Sequence, residues 1–210
     1  MGCPLSDFFE PPPPVPEPKV YREHRWVGPP QGTLPGFVAI ALVLARTDKV
    51  AVCLSRIAAY PAGFEFEILT IAAPGLDADQ VPDPMMHGPG SRRGGDPSLP
   101  AEMLRIGIQF PDGAKATNTS GFGHNGEPPD GPVMTSRGGS GGMGQWRQAE
   151  WVWPLPPRGP LTFVCEWPAA GVPLTRHEID AQTILDAAAQ AQTIFSDEHL
   201  PERPSGTATP

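Results

Sequence analysis

No run of apolar residues in this chain approaches the roughly 20 that a membrane-spanning helix requires. The longest, Phe37–Ala45, has the length of a strand. Basic clusters are scarce too. Arg22-Glu23-His24-Arg25 and Arg92-Arg93 are the densest groups in a chain of net charge −8. Nucleic acid is bound by clustered Lys and Arg that displace counterions, and an anionic membrane surface makes the same demand. Neither is expected as a partner. Cysteine is limited to Cys3, Cys53 and Cys165, without C-x-x-C spacing. Cys53 and Cys165 fall in apolar stretches, where a free thiol behaves as a small hydrophobe. A Cys53–Cys165 bridge between sheets is the alternative reading. The start of the chain is acidic and proline-rich where a secretory leader would be basic and then apolar, so a cytoplasmic location is expected.

What the chain has in excess is proline (30) and glycine (24) among 210 residues. That is a level typical of low-complexity sequence. The surplus gathers in segments without apolar periodicity, which sets the expected boundaries. Residues 1–19 form a disordered arm, in which Glu10–Lys19 lacks most amide donors and favours polyproline II. Residues 20–195 form one domain with long loops at 74–100 and 119–145, and 196–210 form a frayed tail.

Within the domain, period-2 patterns dominate. Val20–Val27 reads as a short edge strand, and Phe37–Arg46, apolar on both faces, as a central buried one. Thr47-Asp48-Lys49 turns the chain into Val50–Tyr60, and Pro61-Ala62-Gly63 turns it again. Phe64, Phe66 and Ile68 then alternate with Glu65 and Glu67, the signature of a half-buried strand. Leu104, Ile106, Ile108 and Phe110 repeat that signature, and Asp112-Gly113 supplies a turn into Ala114–Asn118. Trp146–Trp153 and Leu161–Trp167 are two further strands joined by a proline-rich link. One helix is expected over 176–195. Thr175 and Glu178 match a capping box, and Ala181, Ile184, Leu185, Ala188, Ala191 and Phe195 mark one face. Seven or eight strands without crossover helices predict an antiparallel β-sandwich carrying one C-terminal amphipathic helix.

Several segments mimic catalytic motifs. Gly138-Gly139-Ser140-Gly141-Gly142 satisfies G-x-S-x-G, with Asp180 and His199 downstream. The nucleophile elbow needs a strand entering and a helix leaving, whereas here a polar loop enters and the Trp146 strand leaves. Preceded by Arg137, the same glycines could line up amides around an anion. His177-Glu178 opens like H-E-x-x-H, but Ala181 stands where the second His belongs. Neither a metal nor a cofactor is therefore expected. Trp151 and Trp153 share one strand face, which is either core or an aromatic platform. Because a carboxylate normally seeks water, Glu150 and Glu166 should face outward and turn the adjacent tryptophans inward.

Leu104–Gly113, the Arg137-Gly138-Gly139 tract and Trp151–Pro168 resemble a group of actinobacterial proteins without an established activity, over roughly residues 24–195. The resemblance implies a bacterial cytoplasmic protein and carries no functional residue across. The function expected is a non-enzymatic protein-interaction or scaffold module with a protein partner. One alternative is a small-ligand or glycan-binding domain using Arg137, Gly138, Gly139, Ser140, Trp151 and Trp153. Another is a hydrolase with loop-borne carboxylates such as Asp112, Glu150 and Glu166.

Overall fold

The computed structural model describes residues 21–76, 80–84, 99–120, 129–199 and 201. The expectations for the arm 1–19, Cys3, Arg92-Arg93, residues 121–128 and the tail beyond Pro201 lie outside these. Two antiparallel sheets face each other. The larger contains β2 (Gly36–Val38), β3 (Leu42–Arg46), β4 (Val50–Tyr60), β5 (Gly63–Ala72), β8 (Val133–Gly142) and β9 (Gln145–Trp153). Its order is β2-β4-β5-β9-β8, with β3 also paired to β4. The smaller contains β6 (Arg105–Gln109), β7 (Lys115–Thr117), β10 (Pro160–Trp167) and β11 (Val172–Asp180), in the order β11-β10-β6-β7. A two-stranded clasp pairs β1 (Thr33–Leu34) with β12 (Gln192–Thr193). The α-helix among the described residues, α1, spans Gln182–Ala189, shorter at both ends than the expected 176–195.

Alternation explains why the sheets pack. Phe64, Phe66 and Ile68 of β5 meet Leu161, Phe163 and Cys165 of β10 in one buried cluster. Phe66 and Phe163 touch edge to face at 5.3 Å, a favourable geometry for aromatic quadrupoles. Trp167, also fully buried, donates its indole N–H to the Glu102 carbonyl at 2.7 Å. One side of the sandwich closes where β3 approaches β11, and there His177 Nε2 donates to Leu44 O at 2.7 Å. The alternative of a Cys53–Cys165 bridge is not realised, and both thiols are free. Cys165 points into the core, whereas Cys53 alternates with core residues Val52 and Leu54 and so faces the other way.

Four expectations need correction. Residues 21–27 form turns with one isolated bridge at Arg22, not an edge strand. Phe37–Arg46 is not a central strand. It splits into β2 and β3, each pairing only with β4, and leaves Phe37 and Val43 about half exposed. The glycine tract at 137–142 is not loop but part of β8, held by register pairs from Val133↔Trp153 to Gly142↔Gln145. Finally, Thr175 and Glu178 do not cap a helix. They belong to β11, where Thr175 pairs with Cys165 and its hydroxyl donates to the Cys165 carbonyl. The unpaired edge of β10 offers this segment a full ladder, which outweighs the two bonds of a capping box. The helix begins only after Asp180, whose carboxylate accepts from Gln182 N at 2.9 Å.

α1 closes the sandwich by packing on β2, β4 and β5, with Ile184, Ala187 and Ala188 in the core cluster. Its approach is close enough that a Cβ at Gly36 would collide with the Ala187 carbonyl oxygen. Gly36→Ala should therefore cost about 1–3 kcal/mol of overpacking. Chemical denaturation would check this, and a variant as stable as the parent would show that α1 shifts freely.

Candidate functional site

The tryptophan strand turns out to be inverted. Glu150 pairs directly across from Phe66, so its side chain shares the inner face of the larger sheet. It is 3 % exposed, and its Oε2 has no hydrogen-bond partner among the described residues. Desolvation pushes its pKa up from an ordinary value near 4.5 to about 7. Trp151 and Trp153, on the opposite face, therefore point away from the sandwich core. Glu166 behaves as expected. It lies on the outward face of the smaller sheet, paired with Arg105.

Trp151 is nonetheless fully buried, because residues 21–28 cross over it. Its indole N–H donates to the Arg25 carbonyl at 3.0 Å. Tyr60 packs against it edge-on at 5.7 Å. Gly63 makes room, since a Cβ there would stand 2.7 Å from the Trp151 ring. Trp26 meets Trp153 at 6.2 Å, and His24 stacks on Trp26 at 4.5 Å. Arg137 joins the same cover: its guanidinium lies against Gly28, and Nη1 comes within 3.8 Å of Glu23. The fold thus brings Arg137, Trp151 and Trp153 together, but as a second, strapped-down aromatic cluster. They do not form an open platform. The signal that sequence reasoning missed was Trp26, a second aromatic within a segment otherwise read as an edge.

Gly138, Gly139 and Ser140 lie elsewhere, on the exposed part of β8. A bulge at Arg137 separates the two halves of this strand, and Gly138 absorbs it with φ of 104°. Val133–Thr135 lie partly covered near β7, while Ser136–Gly142 are all exposed. No strand among the described residues pairs with the side of β8 away from β9, so along the exposed Ser136–Gly142 the outward backbone groups have no strand partner there. The strand ends in a tight turn, where Met143 (φ 53°) and Gly144 (φ 78°) take the two left-handed positions of a type I′ hairpin. Met143 projects fully into solvent.

The catalytic look-alikes are dispersed. Ser140 pairs with Arg147 in the larger sheet, whereas Asp180 ends a strand of the smaller one and is occupied at the start of α1. His177 and Asp180 lie on β11, where a spacing of three puts them on opposite faces. Asp112 caps its own turn by accepting from Ala114 N. Glu150 and Glu166 are carried by different sheets, one facing inward and the other outward. Among the described residues, no three His, Cys, Asp or Glu gather as metal ligands. No helix among them is long and apolar enough to cross a membrane.

The outward face of the smaller sheet holds a groove of about 230 Å³. Gly107 and Val164 form its floor, and Arg105, Lys115, Glu166 and Arg176 stand around it. Comparison with family models, with curated proteins and with solved structures finds no match.

Proposed function

We propose that this chain is a non-enzymatic protein-interaction module that takes an extended peptide along the open edge of β8. The observation that carries the reading is the run Ser136–Gly142, an exposed edge segment with no strand on its outer side among the described residues. An unpaired strand edge is a template for another strand, and main-chain hydrogen bonds supply the affinity. Natural edges are usually blunted by charged side chains or proline. Here Arg137 is turned aside against Gly28, and the residues beyond it are Gly138, Gly139, Ser140, Gly141 and Gly142. Their small size lets an incoming backbone approach closely. The dispersal of the candidate carboxylates and of Ser140 and Asp180 favours this reading over the hydrolase. The strap over Trp151 favours it over a glycan platform.

The test begins with extended peptides selected against the full chain. Bound peptide should protect the amides of 136–142 from hydrogen exchange. Ser140→Lys with Gly142→Lys, at exposed positions, should weaken binding at least about tenfold, since each lost or obstructed backbone bond is worth on the order of 1 kcal/mol. Selected peptides that leave these amides unprotected and bind the double variant equally well would overturn the proposal.

A further inference from the structure

A second surface, independent of the β8 edge, has the chemistry of a ligand site. Strand register lays out the outward face of the smaller sheet as a grid. Arg176 of β11, Val164 of β10, Gly107 of β6 and Thr117 of β7 fall in one row straight across it. Because Gly107 has no side chain, this row sinks in the middle. Its absent Cβ would lie 3.3 Å from Thr117 Cγ2 and 3.9 Å from Val164 Cβ, so the depression is shaped by those two neighbours. Leu99 and Leu174 line one end with apolar surface, and Leu174 is largely exposed there.

The charges are unbalanced. Arg105 is committed, with Nη1 on Glu166 and Nη2 on the carbonyls of Leu99 and Pro100. That pair neutralises itself and stiffens one rim. Lys115 and Arg176 line the same groove from opposite edges of the sheet. Neither has a hydrogen-bond or ion-pair partner among the described residues. Glu178 lies two residues from Arg176 on the same face of β11 but does not line the groove, so Arg176 and Lys115 leave the rim net positive, a local field that favours an anion. The hydroxyls of Thr117 and Thr119 bond one another at 2.8 Å beside it and add polar capacity.

We infer that this groove binds a small organic carboxylate: its anionic end reaches Arg176 and Lys115, and its short apolar body lies over Gly107 and Val164. The volume of about 230 Å³ falls just below the range of drug-sized pockets, which limits the ligand to a compact one. Arg176 is suited to the carboxylate because its planar guanidinium offers two parallel donors, while Lys115 acts as a mobile point charge.

Three probes separate the contributions. Benzoate has both the charge and the apolar body, benzyl alcohol has the body alone, and inorganic phosphate has the charge alone. Titrated into the full chain at millimolar concentration, benzoate should give saturable amide shifts at Gly107, Thr117 and Val164. Its affinity should exceed that of either other probe. Combining Arg176→Ala with Lys115→Ala, both on the surface, should weaken benzoate about tenfold or more. Gly107→Leu, which fills the depression, should abolish the shifts. Equal binding of benzyl alcohol would overturn the assignment of the cations. Equal binding of phosphate would overturn that of the apolar floor. Unsaturable shifts, or binding unchanged in the double variant, would overturn the site itself.

Discussion

Trp151→Ala should destabilise the domain by about 3–5 kcal/mol, the range for a lost core aromatic. The ring is 0 % exposed, though it lies outside the space between the sheets. Its removal empties the gap between Tyr60, Gly63 and the crossing segment at 21–28, and frees the Arg25 carbonyl. Two measurements check this. Denaturant unfolding gives the global loss, and tryptic cleavage at Arg22 and Arg25 reports the strap. Both should change together, with cleavage faster in the variant than in the parent. Trp151→Phe keeps part of the packing but loses the indole donor and some ring volume, so it should cost less than the alanine variant, about 1–3 kcal/mol. A Trp151→Ala variant of parental stability would mean that the strap holds without its anchor.

The second large effect is on pH. Glu150 titrates near 7 in the folded protein but near 4.5 when exposed, so the folded state binds the extra proton between those values. Stability then falls as pH rises through that window, and levels off above it. The full span corresponds to about 3 kcal/mol at 1.36 kcal/mol per unit. Glu150→Gln keeps the shape and removes the charge, so it should be more stable than the parent above pH 7. It should also lose this slope between about 4.5 and 7. Unfolding curves measured across that range would decide it. Parallel profiles for parent and variant would show that water or a rearranged neighbour already solvates the carboxylate.

Strands with side chains on both faces were legible in the sequence. β4, β5, β6, β9 and β10 follow from alternation, because a period of two can bury one face only in an extended chain. β8 was not legible, since Gly138–Gly142 carry almost nothing that could alternate. Its conformation is imposed by the waiting edge of β9. The helix start failed for a related reason. Thr175 and Glu178 have the right local chemistry, yet the edge of β10 offered more bonds than a cap. At Trp151 and Glu150 alternation correctly set the two on opposite faces, but it could not say which face was inward. The choice depended on Trp26 and Arg25, more than a hundred residues away in the chain. The groove was invisible for the same reason. Arg105 and Lys115 share the β6–β7 hairpin, but Arg176 lies far from both in sequence, and only the strand order β11-β10-β6-β7 gathers the three.

The contacts made by residues 21–28 also have a kinetic meaning. The bond from Trp151 to Arg25 spans 126 residues, and β1 must find β12 across nearly the whole described chain. By contrast, β4–β5 and β8–β9 are local hairpins closed by short turns. Contacts of large sequence separation carry the greater loop-closure entropy and come late. The hairpins should therefore nucleate folding, with the strap and clasp docking onto a sandwich already assembled. In native-state hydrogen exchange the indole N–H of Trp151 would then open before the amides of β5, through a partial unfolding that undoes only the last step of assembly.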